Sequence, residues 1–173
     1  MPTICKQWLI LCVWSTALGF SSVFGTEAVK IEWVKPQYMP QLDFQRISEY
    51  FTGRENPGRR VLLRTQPEER EGMYFVVTLN KKASKLPSGS QIKLQVITSE
   101  SPKAQTFNFH FPEQVGGYCE VFAGLTGSDW SSKKIDLVAW KVTLEDGSGE
   151  VLAEEQSFIW EFPPVEKTLE EEG

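Results

Sequence analysis

Histidine and cysteine are scarce in this chain: His110 is the single histidine and there are three cysteines among 173 residues. Two of those cysteines, Cys5 and Cys12, fall in an apolar leader. Lys6 precedes an apolar run over residues 8–20 that is too short to cross a ~30 Å hydrocarbon core. In Val23-Phe24-Gly25, the first and third residues are small at the positions a signal peptidase reads. Residues 1–25 are therefore expected to be a cleaved export signal, which places the product in the periplasm or outside the cell. Cleavage before Thr26 leaves Cys119 as the lone thiol, so no disulfide can close within one mature chain. One cysteine and one histidine cannot furnish the usual zinc ligand set, and neither a metal nor a cofactor is expected. No second apolar segment of membrane length follows, so no membrane span is expected once the leader is gone.

A basic excess is missing too. Lysine and arginine number 18 against 23 acids, for a formal charge of −5. Residues 161–173 hold five of the acids and one lysine, so the body of the chain is nearly balanced. A nucleic-acid groove needs a basic face, and no nucleic-acid partner is expected. Pro163 and Pro164 stop the last strand, and residues 161–173 read as an acidic, disordered tail. Residues 26–160 then form one domain, long enough to bury a core without disulfides.

What the body does contain is alternation of apolar and polar residues, the period of a half-buried strand. Val29, Ile31 and Trp33 oppose Lys30 and Glu32; Met73, Phe75, Val77 and Leu79 share one face, opposite Tyr74, Val76 and Thr78. Ile92, Leu94 and Val96 alternate with glutamine and lysine, and Phe107, Phe109 and Phe111 with Thr106, Asn108 and His110. Val138, Trp140, Val142 and Leu144 form another stripe, which makes Trp33 and Trp140 core residues by pattern. Further strands are expected over residues 60–65, 119–123 and 151–160, with the last an edge strand guarded by Glu154 and Glu155. Asp146-Gly147 between two long stripes signals a hairpin. One short helix fits residues 42–51, where Phe44, Ile47 and Phe51 recur at helical spacing before Gly53 and Pro57. Seven or eight strands with short connections predict an all-β antiparallel sandwich, whose architecture resembles the immunoglobulin or fibronectin type III kind. A closed barrel is the alternative.

Three constellations bear on function. Cys119 and His110 flank one turn, so a hairpin would bring them near each other as a thiol–imidazole dyad. Strand alternation turns them apart, however: His110 lies opposite the phenylalanines, and Cys119 shares the face of Val121 and Ala123. Ser128 has no nucleophile-elbow context, and the acidic turns lack the ligand spacing of a calcium loop. Arg54, Arg59, Arg60 and Arg64, with Arg70 nearby, make an anion or acidic-partner patch, unless Glu55, Glu68, Glu69 and Glu71 neutralise them. Trp130, Trp160 and Tyr118, with Tyr38, are the aromatics left over for a sugar-stacking surface. The expectation is an exported, non-enzymatic β-sandwich acting as an interaction or structural module on a protein partner or glycan. A carbohydrate- or small-ligand-binding module is the second choice and a hydrolase the third.

Overall fold

A computed structural model describes residues 27–161; the expected leader, and the acidic tail beyond Glu161, lie outside the described residues. Eight strands form two four-stranded sheets. The front sheet runs β1 (Ile31–Met39), β3 (Gly72–Leu79), β6 (Glu120–Thr126), β2 (Val61–Arg64). The back sheet runs β5 (Gln105–His110), β4 (Gln91–Thr98), β7 (Leu137–Glu145), β8 (Val151–Gln156). The two sheets stay separate, so this is an all-β sandwich and not a barrel. Phe75, Val77, Val121 and Leu125 from the front sheet meet Ile92, Leu94, Val142 and Leu144 from the back, all fully buried. The alternating stripes supply that layer, and its burial is the main force holding the sheets together.

One connection sets the character of the front sheet. β1 and β2 are consecutive in sequence but occupy opposite edges, so residues 40–60 must cross the sheet's outer face. Within this crossover lie a 3₁₀ turn (Gln41–Phe44) and helix α1 (Ile47–Thr52), ended by Gly53 in the left-handed region at φ 64°. Phe44 is buried against Tyr74, with ring centroids 4.8 Å apart, and joins Met39, Val76 and Phe122 in a second small core. A long crossover is also what allows β2 to lie parallel to β6, the one parallel pair in a sandwich expected to be antiparallel throughout.

Local irregularities move several residues away from their expected positions. A bulge between Ile31 and Trp33 shifts the phase of β1, so Val34 and Tyr38 face the core and Trp33 is 44 % exposed. A similar shift opposite Ile97 and Thr98 turns Val138 outward, while Trp140 keeps its core contact with Phe75 at 6.2 Å between centroids. The helix is shorter than residues 42–51 and faces the other way: Phe44 alone is buried, and Ile47 and Phe51 are exposed. The last strand stops at Gln156, beyond which Phe158–Glu161 is a 3₁₀ turn. β8 does form an edge, as its glutamates suggest.

The Asp146-Gly147 turn joins β7 and β8 as expected. The Asp146 carboxylate accepts hydrogen bonds from Ser148 Oγ (2.7 Å), Ser148 N (2.8 Å) and Glu150 N (3.0 Å). Those bonds, the Ser148 hydroxyl first, hold its pKa below the ordinary aspartate value. A lowered folded-state pKa adds stability above the unfolded pKa of about 4 and loses it as pH falls through the folded value. Asp146→Ala is therefore expected to lower the melting temperature at neutral pH, with the gap to wild type closing under acid. Thermal melts of both proteins between neutral pH and about pH 3 check this.

Candidate functional site: the open seam between β2 and β5

The arginines expected to form one patch divide into three roles. Arg64 is structural: its side chain is 6 % exposed and grips Glu55 with both terminal nitrogens, at 2.7 and 2.6 Å. Its Nε donates to the Tyr74 hydroxyl (2.7 Å), which in turn donates to the Arg70 carbonyl (2.8 Å). Burial opposes the Arg64 charge, but the bonds to Glu55 and Tyr74 overcome it and hold the pKa above its ordinary value. Arg70 pairs with Glu49 at 2.7 Å. These two pairs fasten the crossover to the sheet. The neutralising acids are thus Glu55 and Glu49; Glu71 instead accepts from Tyr38, whose pKa is raised to about 12 by burial and that bond.

Arg60 is different. Its guanidinium lies over both Phe44 (5.1 Å) and Phe122 (4.9 Å), a cation–π sandwich. Nε donates to the Pro57 carbonyl (3.1 Å) and Nη2 to the Asp43 carbonyl (3.3 Å). Among the described residues no carboxylate is within ion-pair distance of it. Burial first, and then the charges of Arg46 and Arg64, push its pKa below the usual guanidinium range. Arg54 and Arg59 are exposed and also lack ion-pair partners among the described residues.

Arg60 lines one wall of a groove of about 690 Å³. The groove follows the seam where β2, an edge of the front sheet, faces β5, an edge of the back sheet. Val61, Leu63 and Phe109 contribute apolar surface, and His110, Gln114 and Tyr118 contribute polar atoms. Thr65 N donates to Gly124 O in the β2–β6 ladder, so by alternation the peptide groups of Leu62 and Arg64 point away from β6. Phe111 N donates to Ser90 O, which likewise turns the peptide groups of Thr106, Asn108 and His110 away from β4. Peptide groups directed away from the neighbouring strands, at Leu62 and Arg64 on one side and Asn108 and His110 on the other, therefore border the same groove. Proline at 57, 67 and 112 caps its rim.

The aromatic candidates do not converge. Trp130 is 3 % exposed within the main core, a correction to its assignment as a surface platform. Trp160 is half-buried in the 3₁₀ turn that packs on β7, at the far side of the back sheet from β5. Tyr118 alone lines the seam. Nor do Cys119 and His110 share a hairpin: His110 ends β5 in the back sheet, whereas Cys119 leads into β6 in the front sheet. Cys119 is half-buried, with its carbonyl accepting from Leu79 N, and it is not among the groove walls. Sequence reasoning missed the seam because each edge supplies an unremarkable half, and only the strand order brings Arg60 and His110 to one groove. No helix among the described residues is long and apolar enough to cross a membrane. No family model, no curated protein and no solved structure matches this chain.

Proposed function

We propose that this protein is an exported, non-enzymatic β-sandwich interaction module whose open seam receives an extended, acidic segment of a protein partner. The observation that carries the proposal is the groove between two free sheet edges with Arg60 in its wall. An added strand would satisfy the outward peptide groups of β2 or β5, the mode by which sheet edges capture extended peptides. A carboxylate on that strand would meet the one half-buried guanidinium of the seam without an acid partner, and would relieve the repulsion from Arg46 and Arg64. Separation of Cys119 from His110 on different sheets supports a non-catalytic role. We further propose an immunoglobulin- or fibronectin III-like architecture. With β2 set aside, the order β1-β3-β6 against β5-β4-β7-β8 follows the A-B-E against C′-C-F-G pattern.

The test is a titration of a labelled glutamate-rich peptide, followed by fluorescence anisotropy. Saturable binding is expected, weakened about tenfold by Arg60→Gln, in line with loss of one charge-assisted hydrogen bond. Binding of neutral oligosaccharides in place of the peptide would favour the glycan-binding alternative. Equal affinity of wild type and Arg60→Gln for the peptide would remove Arg60 from the site.

A further inference from the structure

Helix α1 is inverted. Its polar residues face the protein: Glu49 pairs with Arg70, and Ser48 Oγ accepts from Asn56 Nδ2 at 3.0 Å. Its apolar residues face outward, with Ile47 83 %, Tyr50 89 % and Phe51 78 % exposed, and Leu42 in the preceding turn 73 % exposed. Residues 47, 50 and 51 are neighbours on one helical face, and the Tyr50 and Phe51 rings touch edge to face at 5.6 Å. A globular domain normally turns such a face inward, and a contiguous exposed patch of this kind marks a contact surface.

The surrounding charge identifies what meets it. Glu49 and Glu55 are consumed by Arg70 and Arg64, which leaves Asp43 as the sole unpaired carboxylate from Leu42 to Arg60. Arg46, Arg54 and Arg59 are exposed in the same stretch without ion-pair partners among the described residues. The crossover thus carries net positive charge in the same stretch as its exposed apolar residues, on a chain whose total charge is −5. A two-fold contact with a second copy would set these arginines against their own kind. The tip also projects from the domain, since each of its four apolar side chains is at least 73 % exposed. A bilayer interface suits both features, because it surrounds a protruding tip to a depth of ~5–10 Å and carries its charge in a ring above.

We propose that the crossover docks on an anionic lipid surface, with Ile47, Tyr50, Phe51 and Leu42 entering the acyl boundary and Arg46, Arg54 and Arg59 meeting lipid phosphates. The test is co-sedimentation at low salt with vesicles of phosphatidylcholine alone and of phosphatidylcholine mixed with phosphatidylglycerol. Binding is expected to the mixed vesicles, at least about tenfold stronger than to the neutral ones, and to fall as salt rises. Ile47→Ser with Phe51→Ser should weaken it by about tenfold or more, because two apolar side chains no longer insert. Arg54→Gln with Arg59→Gln should cut the preference for phosphatidylglycerol several-fold, leaving only the share of Arg46. All four side chains lie on the surface, so unchanged melting temperatures should confirm that both variants fold. The proposal is overturned by absence of sedimentation with the mixed vesicles, or by binding that neither pair of substitutions alters. Vesicle-free dimerisation lost on Ile47→Ser would overturn it as well, by giving the face to a second copy. Arg60→Gln should leave vesicle binding intact, which separates this surface from the seam.

Discussion

Valine at position 124 is expected to lower stability by about 3 kcal/mol, near the upper end for an overpacked site. Gly124 sits on the outer face of central strand β6, and the Tyr74 ring lies directly over it. A Cβ there would fall 2.7 Å from Tyr74 Cζ, well inside van der Waals contact. The ring has nowhere to retreat, since Phe44 packs on it and its hydroxyl is held by Arg64 and the Arg70 carbonyl. Moving Tyr74 therefore loosens the crossover as well as the sheet. Thermal melts should show a drop of roughly 10 °C for Gly124→Val. In a Tyr74→Ala background, already destabilised, the same valine should add little, because the clash is gone. An undiminished valine penalty in that background would place the strain elsewhere.

Glu55→Ala carries the second large effect, about 2–3 kcal/mol. It leaves the Arg64 guanidinium buried and without its carboxylate, a costlier state than one with both partners removed. The figure stays below the 3–5 kcal/mol of a fully enclosed pair because Glu55 keeps partial contact with water. Double replacement by Glu55→Gln and Arg64→Met should recover part of the loss. The hydrogen bond from Arg64, opposed by burial, holds the Glu55 pKa below the ordinary glutamate value. Its stabilising effect is thus complete above the unfolded pKa of about 4.3 and fades as pH falls through the lower folded value. Denaturant melts should show the wild-type advantage over Glu55→Ala intact at neutral pH and shrinking under acid.

The sandwich was legible because a strand buried on one face writes its period into the sequence. Each of the eight strands overlaps a segment marked by alternation, although β1 runs on to Met39 beyond the stripe at residues 29–33 and β8 stops at Gln156, and the Asp146-Gly147 turn falls where its chemistry puts it. Within the strands, facing failed where a bulge changed the phase, at Trp33 and Val138, since a bulge leaves no compositional mark at either place. Strand order was not legible: nothing local shows that residues 40–60 cross from one sheet edge to the other, or that β5 and β6 belong to different sheets. That ignorance had two consequences. Phe44, Ile47 and Phe51 looked like one buried stripe, yet only Phe44 meets the sheet, because Glu49 and Arg70 lock the helix with its polar side inward. The arginines of residues 54–70 looked equivalent, yet their partners divide them into fasteners of the crossover, one guanidinium in the seam and a free surface pair.

The seam as a strand-accepting site is tested most directly by amide chemical shifts of the labelled protein, recorded with increasing glutamate-rich peptide. Shifts are expected along residues 60–65 of β2, residues 106–112 of β5 and at Tyr118, with slowed exchange of the Leu62 and Asn108 amides. Shifts confined to β8 or β1, or an unchanged spectrum at saturating peptide, would contradict the account.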